Sequence, residues 1–253
     1  MGLYAITGGA TGIGAGIKKR LRDEGHEVIV VDIKDADIIA DLSTAEGRQA
    51  ALKKIRDAAA GGLDGLVTCA GAGANVTDNA MVAQLNYFGT VEIIEGCKDL
   101  LQAKGGSVVL VSSTSAVTNN PPEFVDLLLA GESEKATQYA TKIAGHAVYS
   151  GTKQAVTRWM RRHVVEYASV GVRMNAIAPG YTLTPLNAAA EKTAEYGQAI
   201  RDFKASIPVG YSAMPADQAA VAWFLLSDEA KFVCGAMIFV DGGHDARVRP
   251  DQF

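Results

Sequence analysis

The sequence has few residues suited to disulfides or metal sites. Its 253 residues include three cysteines and four histidines. Cys69, Cys97 and Cys234 are far apart and form no C-x-x-C pair, which argues against a disulfide framework and against a zinc site. The histidines show no spacing typical of metal ligands. We therefore predict reduced thiols, a cytoplasmic chain and no bound metal.

Strong charge of either sign and long apolar runs are also absent. The formal net charge is −4, so there is no general electrostatic reason to bind nucleic acid or an anionic membrane. Apolar runs such as EVIVV and SVVLVSS have the length of strands, whereas a bilayer span needs about 20 residues. The N-terminal MGLYAITGGA lacks the basic and apolar regions of a secretory signal. We predict neither a nucleic-acid nor a membrane partner.

The sequence does contain a regular alternation of short β-branched runs and longer amphipathic segments, which is typical of βαβ units around a parallel sheet. The short runs predict strands near residues 3–7, 27–32, 65–69, 107–112, 172–177 and 236–240. The amphipathic segments predict helices near residues 13–25, 44–60, 79–103, 147–169 and 215–227. No linker, composition break or repeat divides the chain. We predict one α/β domain over residues 1–253, a doubly wound Rossmann-type parallel sheet with helices on both faces.

Two stretches interrupt this alternation. Residues 117–146 contain a proline pair, the apolar run FVDLLLA and Gly131, which predicts two short helices with a break between them. Residues 181–214 are polar and alanine-rich, without a clear strand. Both stretches follow strands on the side where an open α/β sheet binds its ligands. We expect a small helical insertion and a substrate loop, either of which can act as a lid.

The segment ITGGATGIG follows the first predicted strand and opens a helix. Gly8, Gly12 and Gly14 allow positive φ and close approach of a phosphate to the backbone, and the helix N-terminus offers free N–H groups. Alone, this spacing is equally typical of a glycine-rich turn without a ligand. Asp32 ends the next strand, where a carboxylate can accept hydrogen bonds from ribose hydroxyls and repel a 2′-phosphate. Together these features predict NAD rather than NADP.

Positions near Asp32 bear on the same prediction. Thr11 and Ile33 are not basic, so neither would attract a 2′-phosphate. The alternative for Asp32 itself is a turn residue at the end of a strand. Asp41 and Leu42 come where the chain can line the adenine, although Asp41 is equally suited to capping the helix that follows.

Tyr149 and Lys153 stand four residues apart on one predicted helix, so their side chains share a face. A fixed ammonium lowers the pKa of a nearby phenol, which would make Tyr149 an acid or a base. The same spacing is common on solvated helix faces, so the interpretation needs a third group. Ser112 and Ser113 come at the end of the strand near 107–112, where a hydroxyl can donate to a substrate oxygen. Serines at strand ends are also frequent turn residues.

Together these motifs resemble the short-chain dehydrogenase/reductase family. TGGATGIG is similar to the cofactor turn of that family, DGLVTCAG to its D-x-L-V-x-N-A-G strand, NYFG to its N-x-x-G helix and SSTSA to its serine strand. YSGTK is similar to its Tyr-x-x-x-Lys pair and NAIAPGYTLT to its N-x-x-x-P-G-x-x-x-T segment. All of them occur in family order, from residue 3 to about residue 243. The resemblance implies an NAD-dependent enzyme that acts on CH–OH groups.

The resemblance also implies four catalytic residues. Tyr149 exchanges a proton with the substrate oxygen, and Ser113 orients that oxygen. Lys153 holds the nicotinamide ribose and lowers the pKa of Tyr149, while Asn86 anchors a water that relays protons. With the resemblance added, the predicted cofactor contacts are Gly8, Thr11, Gly12, Ile13, Gly14, Asp32, Ile33, Asp41, Leu42, Cys69, Ala70, Gly71, Tyr149, Lys153, Pro179, Gly180, Thr182 and Thr184.

Three of these assignments rest on finer comparison with the family pattern. Ser113 is preferred to Ser112 because Ala116 then falls at the small residue that the family has three places on. Asn86 is equally suited to a structural hydrogen bond within its helix. Cys69 takes the place of the family's Asn, which predicts looser hydrogen bonding between strands without loss of chemistry.

The insertion indicates one group within the family. Ser113 and Tyr149 are 36 residues apart, farther than in most members. With the tail VDGGHDARVRPDQF, this resembles the bacterial 3α-hydroxysteroid dehydrogenase/carbonyl reductase group. The resemblance implies a bulky apolar alcohol or ketone, such as a steroid, as substrate. Leu127, Leu128 and Leu129 can either cover that substrate or pack a small helical subdomain.

The insertion also bears on assembly. Family members often form tetramers through the helix that carries the tyrosine, and inserted helices beside it would block that face. We therefore expect a homodimer through residues 215–240, with a tetramer as the alternative. The basis is the apolar VAWFLL and GAMIFV, although both runs also suit a core.

Rival functions remain open at this point. Ser150-x-x-Lys153 also matches the serine–lysine motif of penicillin-interacting enzymes, but the sequence contains neither the S-D-N nor the K-T-G motif that accompanies it. A second alternative is an NAD-sensing regulator without activity, which would not need the catalytic residues that this chain retains. A third is a dehydrogenase of a smaller aromatic or terpenoid alcohol on the same fold.

Overall fold

The computed structural model describes residues 1–194 and 196–252. Glu195, in the predicted substrate loop, and Phe253, at the predicted end of the domain, lie outside the described residues. Parallel strands form one sheet in the order β3-β2-β1-β4-β5-β6-β7. The strands are β1 (Leu3–Thr7), β2 (Glu27–Asp32), β3 (Ile38–Ile39), β4 (Gly65–Thr68), β5 (Ser107–Val111), β6 (Arg173–Pro179) and β7 (Met237–Val240). The predicted Rossmann-type fold is confirmed.

Helices cover both faces of the sheet. They are α1 (Gly12–Asp23), α2 (Ala45–Ala58), α3 (Asn79–Ala83), α4 (Gly89–Gly96), α5 (Lys98–Gln102), α6 (Pro122–Leu129), α7 (Ser133–Ala140), α8 (Gly145–Ala168), α9 (Pro185–Glu191), α10 (Gly197–Ala205), α11 (Pro215–Leu226) and α12 (His244–Val248). A π-helix, Gln84–Phe88, joins α3 to α4. Short 3₁₀ turns cover Thr114–Val117 and Asp228–Ala230. No helix in the described part of the chain is long and apolar enough to cross a membrane.

The sheet separates two apolar cores, because its strands are buried on both faces as parallel strands usually are. On one face, Ile17 and Leu21 of α1 pack with Leu225 of α11. On the other face, Ile94 of α4 and Trp159 of α8 lie in the larger core. The carboxyl ends of the strands therefore open at one edge, between the two helical layers, where the candidate site lies.

The predicted helix near 79–103 is not continuous. The π-helix interrupts it at Asn86, whose side chain bonds to Ala72 in the loop after β4. An inserted residue of this kind widens a helical turn and redirects a side chain. The two-residue β3 and the short α12 were not predicted, since both are too short to show a periodic pattern. Residues 181–214 contain α9 and α10 rather than an open loop.

The insertion forms the two predicted short helices, of which α6 docks on α8 while α7 packs on α3 and α6. A Cβ added at Gly151 of α8 would lie 2.8 Å from the ring of Phe124, so this glycine lets the buried phenylalanine reach the helix backbone. Gln84 Nε2 donates to Ser133 Oγ and Thr137 Oγ1, at 2.7 and 2.8 Å. These contacts connect the insertion both to α8 and to the π-helix.

Candidate active site

One continuous cavity of about 1070 Å³ runs along the carboxyl ends of the strands. Its walls come from the turn after β1, the ends of β2, β4, β5 and β6, the face of α8, the α9–α10 segment and α12. The predicted site residues that line it are Gly8, Thr11, Gly12, Ile13, Asp32, Ile33, Leu42, Cys69, Ala70, Gly71, Ser113, Tyr149, Lys153, Pro179, Gly180 and Thr184. The predicted residues outside this lining are Gly14, Asp41, Asn86 and Thr182.

The glycine turn after β1 is closely packed. Gly8 and Gly12 have φ of +72° and +57°, a region that favours glycine. A Cβ at Gly14 would lie 2.0 Å from the carbonyl oxygen of Gly8, so no side chain fits there. Gly14 therefore shapes the turn from behind the cavity wall. Bare backbone at the N-terminus of α1 faces the cavity, which fits a dinucleotide pyrophosphate.

Asp32 is held at the edge of the cavity by backbone amides. Its Oδ2 accepts from the Ala10 N–H at 2.9 Å and its Oδ1 from the Ile33 N–H at 2.7 Å. This geometry fits a carboxylate that receives ribose hydroxyls. Lys34, which the sequence reasoning missed, also lines the cavity and is exposed.

The two candidates for the adenine end differ in position. Leu42 is buried and lines the cavity. Asp41 is exposed, and its carboxylate accepts from the N–H and the hydroxyl of Ser43, at 2.9 and 2.7 Å. Thr44 caps α2. Asp41 therefore has neither predicted role: it does not line the cavity, and it bonds Ser43 in the turn before α2 while Thr44 caps that helix.

Thr7 holds the ends of β1 and β4 together. Its Oγ1 accepts from the N–H groups of Cys69 and Ala70, both at 3.2 Å. The backbone at this point is thus tied without the family's asparagine, and the looser hydrogen bonding expected from Cys69 is not observed. Burial raises the pKa of the Cys69 thiol to about 11, so it stays protonated.

Tyr149 and Ser113 form the centre of the site. Tyr149 lies on the first turns of α8, and Ser113 follows β5. Both line the cavity, and the Ser113 hydroxyl lies near enough to the phenol to act on its pKa. Ser115 holds the Ser113 hydroxyl in place, since its N–H and Oγ donate to it at 3.1 and 3.0 Å. Ser112 Oγ turns towards α8, where it pairs with Thr157 Oγ1 at 2.7 Å. The geometry therefore favours Ser113 over Ser112.

Lys153 is anchored beside the phenol. Its Nζ donates to the carbonyl oxygen of Val111 at 2.9 Å and lies 6.0 Å from the centre of the Tyr149 ring. Burial lowers the pKa of Lys153 to about 8. Burial also raises the pKa of Tyr149, and the nearby Ser113 hydroxyl opposes this only in part. The expected lowering of the Tyr149 pKa by Lys153 is therefore not found in the protein alone, because desolvation dominates.

Asn86 is buried behind the cavity. Its Oδ1 accepts from the Ala72 N–H at 2.8 Å, and its Nδ2 donates to the Ala72 carbonyl at 3.0 Å and to Thr152 Oγ1 at 3.3 Å. A Cβ at Gly71 would lie 3.1 Å from Asn86 Oδ1 and 3.5 Å from Lys153 Nζ. The structural role of Asn86 is thus visible, and it acts at the site by holding the loop beside Lys153.

The segment after β6 leads from the sheet to the glycine turn. A Cβ at Gly180 would lie 2.7 Å from Asp241, so the chain passes close to the loop after β7. Thr182 is buried, and its hydroxyl donates to the Gly180 carbonyl at 3.1 Å. Thr184 caps α9, and its methyl group lies 3.3 Å from a Cβ placed on Gly12. Thr182 thus supports this segment, whereas Thr184 reaches the cavity.

The other half of the cavity is mainly apolar. Its apolar lining includes Val117, Leu186, Ile200, Phe203 and Val248. The predicted substrate loop supplies three of these through α9 and α10, and α12 supplies Val248. No residue of the described α6 and α7 lines the cavity, and Leu128 is fully buried in the core. The run FVDLLLA therefore packs a helical subdomain and does not cover the site.

The α9–α10 segment is tied to neighbouring parts of the chain. Glu191 accepts from the Tyr181 hydroxyl at 2.9 Å and from Lys204 Nζ at 3.0 Å. The Tyr196 hydroxyl donates to the Ala74 carbonyl, in the loop after β4, at 3.2 Å. These bonds fix the segment that carries Leu186, Ile200 and Phe203 beside the cavity.

The geometry does not support Ser150 as the nucleophile of a penicillin-interacting enzyme. Ser150 is buried, and its hydroxyl donates to the His146 carbonyl at 2.7 Å within α8. It does not line the cavity, so it cannot act there as a nucleophile. Across residues 1–194 and 196–252, no three His, Cys, Asp or Glu side chains are grouped to hold a metal ion.

Comparison with known proteins agrees with this geometry. The family model described as short chain dehydrogenase matches residues 3–124, and that described as enoyl-(acyl carrier protein) reductase matches residues 135–245. The chain is 40% identical to a 3-alpha-hydroxysteroid dehydrogenase/carbonyl reductase of Comamonas testosteroni, with 100% of both chains covered. It is 32% identical to a coniferyl-alcohol dehydrogenase of Pseudomonas sp. strain HR199, with 94% of each covered. The crystal structure of the 3-alpha-hydroxysteroid dehydrogenase from Pseudomonas sp. B-0831, complexed with NADH, is 40% identical and superposes with a TM-score of 0.96, covering 99% of this chain and 100% of that chain.

Proposed function

This chain belongs to the short-chain dehydrogenase/reductase family, and from that premise we propose that it interconverts a secondary alcohol and a ketone on a bulky apolar substrate of the 3α-hydroxysteroid type. The predicted NAD(H)-dependent enzyme acting on CH–OH groups is confirmed by these similarities. The observation that carries the proposal is that Tyr149 and Ser113 line the same cavity as the glycine turn and Asp32.

Each residue then has one task. Asp32 and the turn around Gly12 bind the cofactor, and bound NAD(H) supplies or accepts the hydride. In ketone reduction Tyr149 gives its proton to the carbonyl oxygen, and Ser113 holds that oxygen by a hydrogen bond as negative charge develops. Because burial raises the pKa of Tyr149, the phenol is protonated at neutral pH and ready to donate.

Lys153 and the α9–α10 segment support this proton transfer. An ammonium anchored to the Val111 carbonyl stabilises phenolate once the proton has left, since opposite charges attract strongly where water is excluded. Asn86 positions the loop that carries Gly71 beside it. Closure of α9 and α10 over the cavity removes water from the reacting groups.

The substrate class follows from size and polarity. The cavity of about 1070 Å³ is at the upper end of the volumes of ligand pockets, and its walls include the apolar side chains of Leu186, Ile200 and Phe203. Similar proteins that carry steroid dehydrogenase names cover the whole chain at 40% identity. These observations support a rigid apolar ketone rather than a small polar alcohol.

Turnover tests this proposal directly. We expect oxidation of NADH with a panel of steroid ketones and weaker rates with terpenoid and aryl ketones. Tyr149→Phe keeps the ring and should lower kcat by about 10² to 10⁴ while the Kd for NADH stays within about twofold. NADH binding without turnover of any ketone would instead favour the NAD-sensing regulator.

We also propose that each chain folds as one domain and that the protein is cytoplasmic. Two chains would form a homodimer through residues 215–240. All four residues of the edge strand β7 are partly exposed, and Phe232 beside it is fully exposed. An open apolar edge of this kind favours association. Light scattering should give the mass of a dimer, and Phe232→Glu should give a monomer. A monomeric wild-type protein, or a tetramer unaffected by Phe232→Glu, would contradict this interface.

A further inference from the structure

A histidine on α12 faces the apolar half of the cavity. His244 lines the cavity, and its ring lies edge-on against Phe203 of α10, with centroids 4.2 Å apart and planes at 80°. Within the described residues, no group hydrogen-bonds to either ring nitrogen of His244. Its aromatic neighbour fixes the ring, while its nitrogens remain available to a ligand.

This imidazole is uncharged at neutral pH. Burial lowers the pKa of His244, and Arg247 lowers it further, against the opposing effect of Asp241 and Asp245. A neutral imidazole carries one N–H donor and one acceptor nitrogen, so it can bond to a hydroxyl or to a ketone. Leaving such groups without a partner in a half-buried position costs free energy that a ligand oxygen would recover.

The surroundings of His244 favour an uncharged ligand group over an anion. Arg249 also lines the cavity, but it is paired with Asp245. Its Nε and Nη2 donate to the two carboxylate oxygens, both at 2.9 Å. Its Nη1 donates to Gln252 Oε1 at 2.8 Å. The guanidinium charge is thus compensated within α12 and its following turn, so a substrate carboxylate would gain little here.

His244 comes from a different element than the reacting groups, since it lies on α12, whereas Tyr149 lies on α8 and Ser113 follows β5. Gly180 packs against Asp241, at the start of the turn that leads into α12. His244 follows and contacts Phe203 of α10. The lining that it shares also contains the apolar side chains of Val117 and Leu186.

We propose that His244 is a specificity-determining residue that hydrogen-bonds a second, uncharged oxygen, a hydroxyl or ketone, at the end of the substrate remote from the reacting carbinol. The inference rests on the proposed function, because it deepens the substrate class from an apolar ketone to one with two oxygen functions. An apolar body would fill the cavity between them.

Two ketones that differ in the remote oxygen alone test this, 5α-androstan-3-one and 5α-androstane-3,17-dione. We expect the wild-type enzyme to prefer the dione by about tenfold in kcat/KM, the value of one hydrogen bond. His244→Phe keeps a ring against Phe203 and should abolish this preference through KM for the dione. His244→Gln, which keeps a donor and an acceptor, should retain part of it.

A matched control and a binding readout separate the outcomes. His163 also contacts an aromatic ring, stacking on Trp159, but does not line the cavity, so His163→Phe should leave the preference unchanged. Calorimetric binding of both ketones to the NAD⁺-loaded protein should show the same tenfold difference. Equal affinities in wild type, or an equal loss for both ketones in His244→Phe, would overturn the role of His244. Discriminating binding without turnover would refute the proposed chemistry and support His244.

Discussion

The carboxylate of Asp32 should decide which dinucleotide the enzyme accepts. It is held by the N–H groups of Ala10 and Ile33, so it cannot swing away from a 2′-phosphate. Asp32→Asn removes the charge but keeps an oxygen that can accept from Ala10. Asp32→Ala removes both the charge and the hydrogen-bond acceptor.

The size of the effect follows from these two losses. Like unit charges about 6 Å apart repel by about 3 kcal/mol at an effective dielectric constant of 20, and solvent at this half-exposed position reduces that to about 1 to 2 kcal/mol. A charged acceptor contributes about 1.5 to 3 kcal/mol to its hydrogen bonds with ribose. Asp32→Asn should therefore shift the NADH/NADPH ratio of kcat/KM by about tenfold and Asp32→Ala by about 10² to 10³.

Ratios of kcat/KM for the two cofactors, with Kd values from fluorescence titration, provide the assay. Asp41→Asn is the matched control, because Asp41 is an exposed carboxylate nearby that does not line the cavity. Lys34→Ala in the Asp32→Asn background should then reduce the gain for NADPH, since Lys34 is a cation on the same wall. Unchanged cofactor ratios in both Asp32 variants would refute the assignment of this carboxylate.

Further predictions concern stability and the glycine turn. The pKa of Lys153 is about 8 in the folded protein and 10.5 in the unfolded chain. The free energy of unfolding of wild type relative to Lys153→Met should therefore rise by about 3 kcal/mol from pH 8 to 10.5. A difference that does not change with pH in urea unfolding would contradict the burial of this ammonium. Phe124→Ala should cost about 3 to 5 kcal/mol in urea unfolding, whereas the exposed neighbour Glu123→Ala should change little. Gly14→Ala places a methyl group 2.0 Å from the Gly8 oxygen and should weaken NADH binding by more than about tenfold, while Gly61→Ala, with open space around it, should not. Normal NADH affinity in Gly14→Ala would show that the turn can rearrange.

Patterns that extend over several residues were predictable from the sequence. The bounds of β1 and β2 agree with the prediction, and the other predicted strands differ at their ends by two residues at most, since buried parallel strands are continuous apolar runs. The juxtaposition of Ser113 with Tyr149 could be expected because strand ends meet at one edge of the sheet.

Features set by single contacts were not predictable. The π-helix is accompanied by the hydrogen bond between Asn86 and Ala72, and the hydrophobic periodicity of the sequence does not predict a single bond of this kind. The direction of the Tyr149 pKa shift depends on burial, and burial is a property of the packed molecule. His244 lies on a helix of five residues, too short for an amphipathic pattern, so that only the packed structure reveals its place in the cavity lining.

The two halves of the cavity are built from separate parts of the chain. The ends of β1, β2, β4 and β5 with α8 carry the proposed cofactor and reacting residues, while α9, α10 and α12 supply apolar lining. Random mutagenesis confined to residues 186–203 and 244–252 should therefore diversify the accepted ketones and leave the hydride chemistry intact. This division would let related enzymes change their substrate specificity while hydride transfer itself stays the same.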